Sequence, residues 1–365
     1  MRFSSKKSEL FALLSRVNNI VEKKSPQKIR TNVLIRAVDD RIELVGFDNE
    51  MTIAGSVAAT VEENGETTVT AQKLFDIVRS LSSETDVVFH QTDNVLYVQA
   101  GSSKFQLVTL PVEDYPLPER YEFEQQFELP AVQLVDLLSR VKFSMATNDV
   151  RHYLNGLLLH FTPSAIIAVS TDGHRLSIAE IENNSDITDR KVIIPKKAIG
   201  EIINWLSGES DSLKIELSDT HIQFCYQQVE MTSALINAEY PAYESVIPSL
   251  SENPAIIPKA TLKTALQRAK ILSNEYGSGV SLSFSPWTLH LSAKNMDNEM
   301  AEDKIDMNYD GENMRIAFNI NYLVDILDAL SHDNVTMSVT DSQSSSLIYD
   351  TENDNARYVL MPMNI

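Results

Sequence analysis

The sequence has a single cysteine, Cys225, in 365 residues. That excludes a disulfide framework within one chain and a zinc site of the paired-cysteine kind, and it points to a reducing, cytoplasmic setting. Glycine is scarce at 11 residues, and neither Gly-x-x-x-x-Gly-Lys nor Gly-x-Gly-x-x-Gly occurs, so no phosphate-cradling loop of a nucleotide enzyme is expected. No apolar run approaches the ~18 residues of a membrane span. The start, Met1-Arg2-Phe3-Ser4-Ser5-Lys6-Lys7, lacks the apolar stretch of a secretory signal. The seven histidines (His90, His152, His160, His174, His221, His290, His332) are scattered without metal-motif spacing, so no metal and no cofactor is expected. Positive charge is also short: 31 Lys and Arg face 51 Asp and Glu, a net charge of -20. As a total, that argues against a polyanionic partner, because phosphate contacts need clustered cations.

What is present is a repeat. Leu-Leu-Ser-Arg-Val stands at Leu13 to Val17 and again at Leu137 to Val141, 124 residues on. Leu81-Ser82, Leu206-Ser207 and Leu330-Ser331 each close an apolar helical pattern at nearly the same offset. Glu-Asp-Tyr-Pro at Glu113 to Pro116 is echoed by Ala-Glu-Tyr-Pro at Ala238 to Pro241. The length is close to three such periods, so the chain reads as one unit written three times.

Six segments carry helical apolar spacing: 5–24, 71–82, 130–146, 195–207, 258–274 and 319–331. In the first, Leu10, Leu13, Leu14, Val17 and Val21 form an amphipathic stripe. Pro130, Pro195 and Pro258 are expected in the first turn of their helices. β-type sequence follows at 32–45, 87–110, 213–236 and 335–361. It alternates about turns at Thr92-Asp93-Asn94, Ser218-Asp219-Thr220, Asp341-Ser342-Gln343 and Glu352-Asn353-Asp354. Each unit therefore reads as helix, strands, helix, strands, an α+β architecture on antiparallel sheets. Linkers rich in proline and charge mark domain boundaries, giving domains 1–123, 129–247 and 248–365.

Charge counted by element changes the picture. The six helical segments hold fifteen basic residues against seven acidic ones, a surplus of eight, so the remainder carries a deficit of 28. A basic helical face on an otherwise acidic body would hold a polyanion on one surface and repel it elsewhere. The bland alternative is that Lys and Arg decorate solvated helix faces as good helix formers. The last helix has no basic residue and departs from the pattern.

One cluster invites a catalytic reading: Thr171-Asp172-Gly173-His174-Arg175-Leu176. Asp and His this close could serve acid-base chemistry. A tight turn or binding loop, with Asp172 and Gly173 supplying its geometry, is the favoured reading. The ending Tyr358-Val359-Leu360-Met361-Pro362-Met363-Asn364-Ile365 is apolar almost to the last residue. A strand to about Met361 with an adaptable methionine lip beyond it is expected.

Together, Phe143-Ser144-Met145-Ala146, Asp149-Val150-Arg151, Tyr153-Leu154-Asn155-Gly156, Thr171 to Leu176, Ile271-Leu272-Ser273-Asn274-Glu275 and Tyr358 to Met363 resemble the bacterial sliding clamps, the β subunits of DNA polymerase III. The resemblance spans the whole chain. It implies three similar clamp-fold domains, two helices each, and a head-to-tail dimeric ring that encircles duplex DNA without sequence preference, confers processivity and catalyses nothing. Helix packing supports two chains. At ~8–10 Å per helix, six helices close to a diameter near ~18 Å between axes, whereas twelve reach about 35 Å. Only the second clears a duplex once a helix thickness of ~10 Å is subtracted.

The resemblance carries residue roles with it. DNA contacts are implied at Lys24, Gln72, Asn148, His152 and Tyr153, with Lys73 and Lys197 added from the basic helices. A groove for the DNA polymerase III catalytic subunit, the clamp loader and other clamp-binding-motif proteins is implied at Leu154, Thr171, Gly173, His174, Arg175, Leu176, Pro241, Val246, Val359, Leu360, Met361, Pro362 and Met363. A dimer contact is implied between Lys104, Phe105 and Leu107 on one side and Ile271, Leu272, Glu299 and Glu302 on the other. Asn364-Ile365, Glu244 and Ser245 stand where related chains are often basic. Two other readings stay open: a protein-binding scaffold with no DNA role, and a hydrolase built on Asp172 and His174.

Overall fold

The structure is a computed structural model that describes residues 1–116, 121–187, 189–272, 279–352 and 355–364. Ser273, Asn274 and Glu275, the turn residues Asn353 and Asp354, and Ile365 lie outside the described residues. Among the described residues there are six α-helices: α1 (Lys7–Ile20), α2 (Ala71–Ser80), α3 (Ala131–Val141), α4 (Lys196–Leu206), α5 (Lys259–Lys270) and α6 (Ile320–Ala329). They fall on the six expected segments, and all sheet pairing among the named strands is antiparallel. The α+β expectation holds.

The prolines are a correction. Pro130, Pro195 and Pro258 end the strands Gln125–Pro130, Arg190–Pro195 and Ala255–Pro258, and each helix starts at the next residue. Each of these strands is an outer strand of its sheet among the described residues. Proline has no N–H to give a ladder, and an edge strand tolerates that loss, while its fixed φ leads directly into a helix.

Contacts group the described residues into two units, 1–132 with 200–235, and 133–199 with 236 onward. In the first, α1 buries Leu10, Leu13, Leu14 and Val17 against the strands Arg41–Phe47 and Met51–Ala58. A Cβ on Gly55 would stand 2.5 Å from Leu13 Cδ1, so the approach of helix to strand requires glycine there. Phe11 of α1 stacks on Phe75 of α2 at 5.5 Å. The strands Asn32–Val38 and Arg41–Phe47 are joined by Asp39 and Asp40, both at positive φ (47° and 59°), a turn that continuous β-type sequence concealed. Strand Val229–Ala234, from the middle repeat, pairs with Met51–Ala58 from the first.

The second unit repeats this device. Strand Arg175–Glu182 of the middle repeat pairs with Ala356–Leu360 of the third. Its core includes Leu158, Val169, Leu176, Ile178, Ile193, Tyr240, Tyr243, Leu347 and Val359. α5 buries Leu262, Ala265, Leu266 and Ala269, and α6 buries Ile320, Leu323, Ile326 and Leu327. Both halves of the middle repeat thus continue a neighbour's sheet, which covers strand edges that would otherwise invite aggregation.

Candidate functional site

The turn between the strands Ala165–Thr171 and Arg175–Glu182 is fixed by its own side chains. Thr171 Oγ1 accepts from the Gly173 amide at 3.0 Å and donates to the Arg175 carbonyl at 2.6 Å. Asp172 Oδ1 accepts the amides of His174 and Arg175 at 2.9 and 3.1 Å, and Oδ2 accepts Arg175 Nε at 3.0 Å. Gly173 sits at φ +90°, and a Cβ there would meet the Arg151 guanidinium at 3.1 Å. Local side-chain bonds of Asp and Thr with a left-handed glycine make a rigid turn. The carboxylate of Asp172 is committed to that turn and makes no bond to the His174 imidazole.

Arg175 binds the turn to its surroundings. Besides Asp172 it reaches Asp325 at 2.7 Å and the Phe143 carbonyl at 2.6 Å, and its guanidinium lies 4.3 Å from the Tyr322 ring centroid and 5.1 Å from that of Phe143. It is largely buried, with a side-chain exposure of 9%. Its role is to hold the site in shape.

Beside the turn lies a groove of about 260 Å³. Of the expected residues, Leu154, Thr171, Gly173, His174, Arg175 and Leu176 line it, together with Pro241, Val246, Val359 and Met361. Leu360 does not. It is fully buried, because along strand Ala356–Leu360 alternate side chains face opposite ways and Val359 takes the groove side. Pro362 and Met363 are not among its lining residues either, and the tail is pinned by the amides of Met361 and Met363, which donate to the carbonyls of His174 (3.0 Å) and Ala317 (2.7 Å). Sequence reasoning missed Arg151, Tyr240, Ala242, Tyr243 and Ser345 as lining residues. Tyr153, expected among the DNA contacts, lines the groove as well and packs edge-on against Tyr240 at 6.3 Å. The neighbouring loop is clasped by Asn155, which donates to the Asp149 carbonyl (2.8 Å) and accepts its amide (2.9 Å). Hydrogen bonds from Arg151 hold the Asp149 carboxyl down at about 2.

Models of the DNA polymerase III beta subunit match along almost the whole chain: the N-terminal domain at 1–119, the central domain at 128–242 and the C-terminal domain at 244–364. The beta sliding clamps of Pseudomonas aeruginosa and Escherichia coli K12 are each 34% identical, with all of both chains covered. Among solved structures, the DNA polymerase III subunit beta of Pseudomonas aeruginosa superposes with a TM-score of 0.96 at 34% identity, covering both chains in full. A sliding clamp of Bartonella birtlesii bound to griselimycin gives 0.97 at 34% identity, again over both full chains.

The chain belongs to the DNA polymerase III beta subunit family. It is a three-domain sliding clamp subunit, a non-catalytic accessory of DNA replication. Among the described residues no cluster of His, Cys, Asp or Glu is arranged to hold a metal, and no helix is long and apolar enough to cross a membrane.

The clamp's expected DNA contacts fall into two sorts. Lys24, Lys73, Asn148, His152 and Lys197 are exposed. Lys24 and Lys73 make no ion pair among the described residues. Gln72 is engaged: its carbonyl accepts from Asn18 at 3.3 Å and its amide donates to Asp76 at 3.1 Å. Several basic residues in the helical surplus are also tied down. Lys196 Nζ reaches the carbonyls of Met145 and Ala146 and the Thr147 hydroxyl, at 3.0, 3.2 and 2.6 Å. Of the two arginines of the repeated pentapeptide, Arg140 pairs with Asp136 at 2.8 Å and Arg16 is half-buried near Glu209 and Tyr226; on α5, Arg268 pairs with Asp303. Burial lowers the Arg16 guanidinium below its ordinary range, against the pull of those two groups.

The clamp's implied dimer contact lies on two strand edges, one in each unit. Strand Ser103–Leu110 pairs with Val95–Ala100 on one side, but on the other only Thr109 and Leu110 are paired, with Val69 and Thr68. Residues 103–108 therefore present an open edge among the described residues. Lys104 is exposed and Phe105 half-buried, but Leu107 is 8% exposed and belongs to its own core. Val108, which sequence reasoning passed over, is 75% exposed. Strand Met300–Asp306 is the outer strand of the other sheet, with Glu299 and Glu302 exposed beside it. Ile271 is 80% exposed and Leu272 half-buried.

Proposed function

We propose that two copies of this chain close head to tail into a ring around duplex DNA and tether the replicative polymerase in the cytoplasm. The domains run 1–123, 129–247 and 248–365. The observation that carries this reading is the pair of open strand edges of opposite character. The edge at 103–108 brings Lys104 with the apolar Phe105 and Val108, and that at Met300–Asp306 brings Glu302 and Asp306 on either side of Lys304, with Asp303 paired to Arg268. Main-chain ladders across such edges bind, and the charges set which edge meets which. Exposed Ile271 and Met300 supply apolar area at the contact.

Duplex DNA is held through phosphates by Lys24, Lys73 and Lys197, with Asn148 and His152 on the loop before the groove. Gln72 contributes through Asp76 and Asn18 more than through DNA. Contacts of this kind are weak, salt-sensitive and blind to sequence, which suits sliding. The groove takes an apolar peptide segment of the polymerase III catalytic subunit, the clamp loader and other clamp-binding-motif proteins, anchored on Leu176, Val359 and Met361. Glu244 and Ser245 at its rim favour partners whose flanking residues are neutral or basic.

The test is a solution mass. The reading expects about twice the 40.9 kDa chain mass at micromolar concentration, reduced to the single-chain mass by Val108→Asp. A monomeric wild-type chain contradicts it.

A further inference from the structure

Next to the groove wall lies a row of side chains that the proposed function leaves unused. His160 pairs in register with Lys191 on one neighbouring strand and Ile167 on the other, and Ile167 pairs with Glu180. Residues directly opposed on antiparallel strands share a face. Lys191, His160, Ile167 and Glu180 therefore form one row, and Tyr243 packs against it. The Tyr243 hydroxyl is 2.8 Å from His160 Nδ1, with the two rings edge to face at 6.0 Å. The Lys191 ammonium is 5.8 Å from the Tyr243 ring centroid, and Ile167 packs on the core cluster that contains Tyr243. Tyr243 and Val246, at the two ends of the 3-10 turn Tyr243–Val246, line the groove; His160 and Lys191 are not among its lining residues.

The protonation states follow from the surroundings. Burial, and then the nearby carboxylates of Glu244 and Glu180, push the Tyr243 phenol above its ordinary range, so it keeps its proton. A protonated hydroxyl can donate to His160 Nδ1 or accept from it, so the pair bonds in either imidazole tautomer. Burial first, and Lys191 next, hold His160 below the ordinary imidazole range, while Glu244 and Asp189 pull the other way.

We propose that His160 is a positioning residue for partner recognition: by bonding the Tyr243 hydroxyl from outside the groove, it fixes the turn that carries Tyr243 and Val246 into the groove wall. This rests on the reading of the groove as a peptide-anchoring site. The bond survives in either direction, since the hydroxyl can donate to a bare Nδ1 or accept from Nδ1–H, so what positions the turn is the presence of the ring nitrogen and not its charge.

The experiment measures binding of a fluorescein-labelled hexapeptide, carrying the clamp-binding segment of the DNA polymerase III catalytic subunit, to the full chain. His160→Ala should weaken binding about 5- to 20-fold, the size of a lost hydrogen bond to a buried hydroxyl. In a Tyr243→Phe background the same change should have no further effect. His160→Gln, which can still bond the phenol, should restore most of the loss. Thermal unfolding of each variant separates loosening from unfolding. If His160→Ala does not fold, Tyr243→Phe decides: it removes the same bond and should weaken binding to the same extent. Binding by His160→Ala, or in its place by Tyr243→Phe, within twofold of wild type, an equal loss in the Tyr243→Phe background, or no recovery in His160→Gln overturns the proposal. Val246→Glu marks the groove reading separately: if it leaves the peptide bound as in wild type, the groove reading fails, whatever His160 does.

Discussion

The groove and the surface proposed to face DNA use similar residues in opposite ways. In the groove, Asp172, Thr171 and Arg175 are bonded to one another and to the backbone, and Arg175 is buried between Tyr322 and Phe143. Among the residues proposed to meet DNA, Lys24 and Lys73 are exposed and make no ion pair among the described residues. A preorganised site with satisfied polar groups selects a shape. Long, solvated cations attract phosphate without selecting a position. The contrast also sorts residues that composition treats alike: Arg16, Arg140, Arg268 and Lys196 belong with the fixed kind, although they lie on the basic helices.

The sharpest break of this contrast is Arg175→Met. It leaves Asp172, Asp325 and the Phe143 carbonyl without their cation and should cost about 3–5 kcal/mol in thermal or denaturant unfolding. A loss below about 1 kcal/mol would show that the turn does not depend on Arg175. Met361→Glu places a charge in the apolar groove and should weaken peptide binding about 100-fold, leaving DNA retention unchanged. Fluorescence anisotropy and a retention assay on one preparation check both halves. Gly173→Ala must hold φ +90° with a methyl against Arg151; a cost of about 1–2 kcal/mol is expected, read as a lowered Tm and weaker peptide binding.

Lys24→Ala and Lys73→Ala address the other side. Each should reduce the slope of log K against log salt by about 1 on duplex DNA and leave peptide binding alone. The same changes at Arg140 or Arg268 should move the slope far less, because those guanidiniums already hold carboxylates. The smallest effect concerns Asp149. Its carboxyl is held below the ordinary range, so its contribution is present above the unfolded value near ~3.9 and is lost as pH falls through about 2. Amide exchange protection in the loop around Asp149 and Asn155 should persist at pH 4 and fade only toward that limit.

Much of this was legible in the sequence for physical reasons. Helical periodicity located all six helices, since an amphipathic stripe is imposed by a single buried face. Turn chemistry located the bend at Asp93, which takes φ 49°, and the turn at Asp172-Gly173. The strand Gly156–Phe161 was not legible: from Leu157 to Leu159 consecutive residues are buried, which erases alternation, whereas Gly279–Ser285 alternates Val280, Leu282 and Phe284 with serines and was legible but passed over. Pairing between repeats left no trace either, because a ladder of backbone groups has no side-chain signature. Arg140 and Arg268 could not be told from phosphate-binding residues by type, since Asp136 and Asp303 become partners only in the fold. The aromatic wall of the groove had a signal that served another reading: Tyr240-Pro241 closes the repeat echo Ala238 to Pro241, and Tyr243, two residues on, carries no repeat signal.

The central claim is a topological link to DNA without chemistry. It is tested most directly by loading the protein onto nicked circular DNA, isolating the complex at a salt concentration that removes electrostatic binding, and linearising the circle with a single cut. The account predicts retention on the circle and release within minutes of the cut. Equal retention before and after linearisation, or none on the circle after loading, would contradict it.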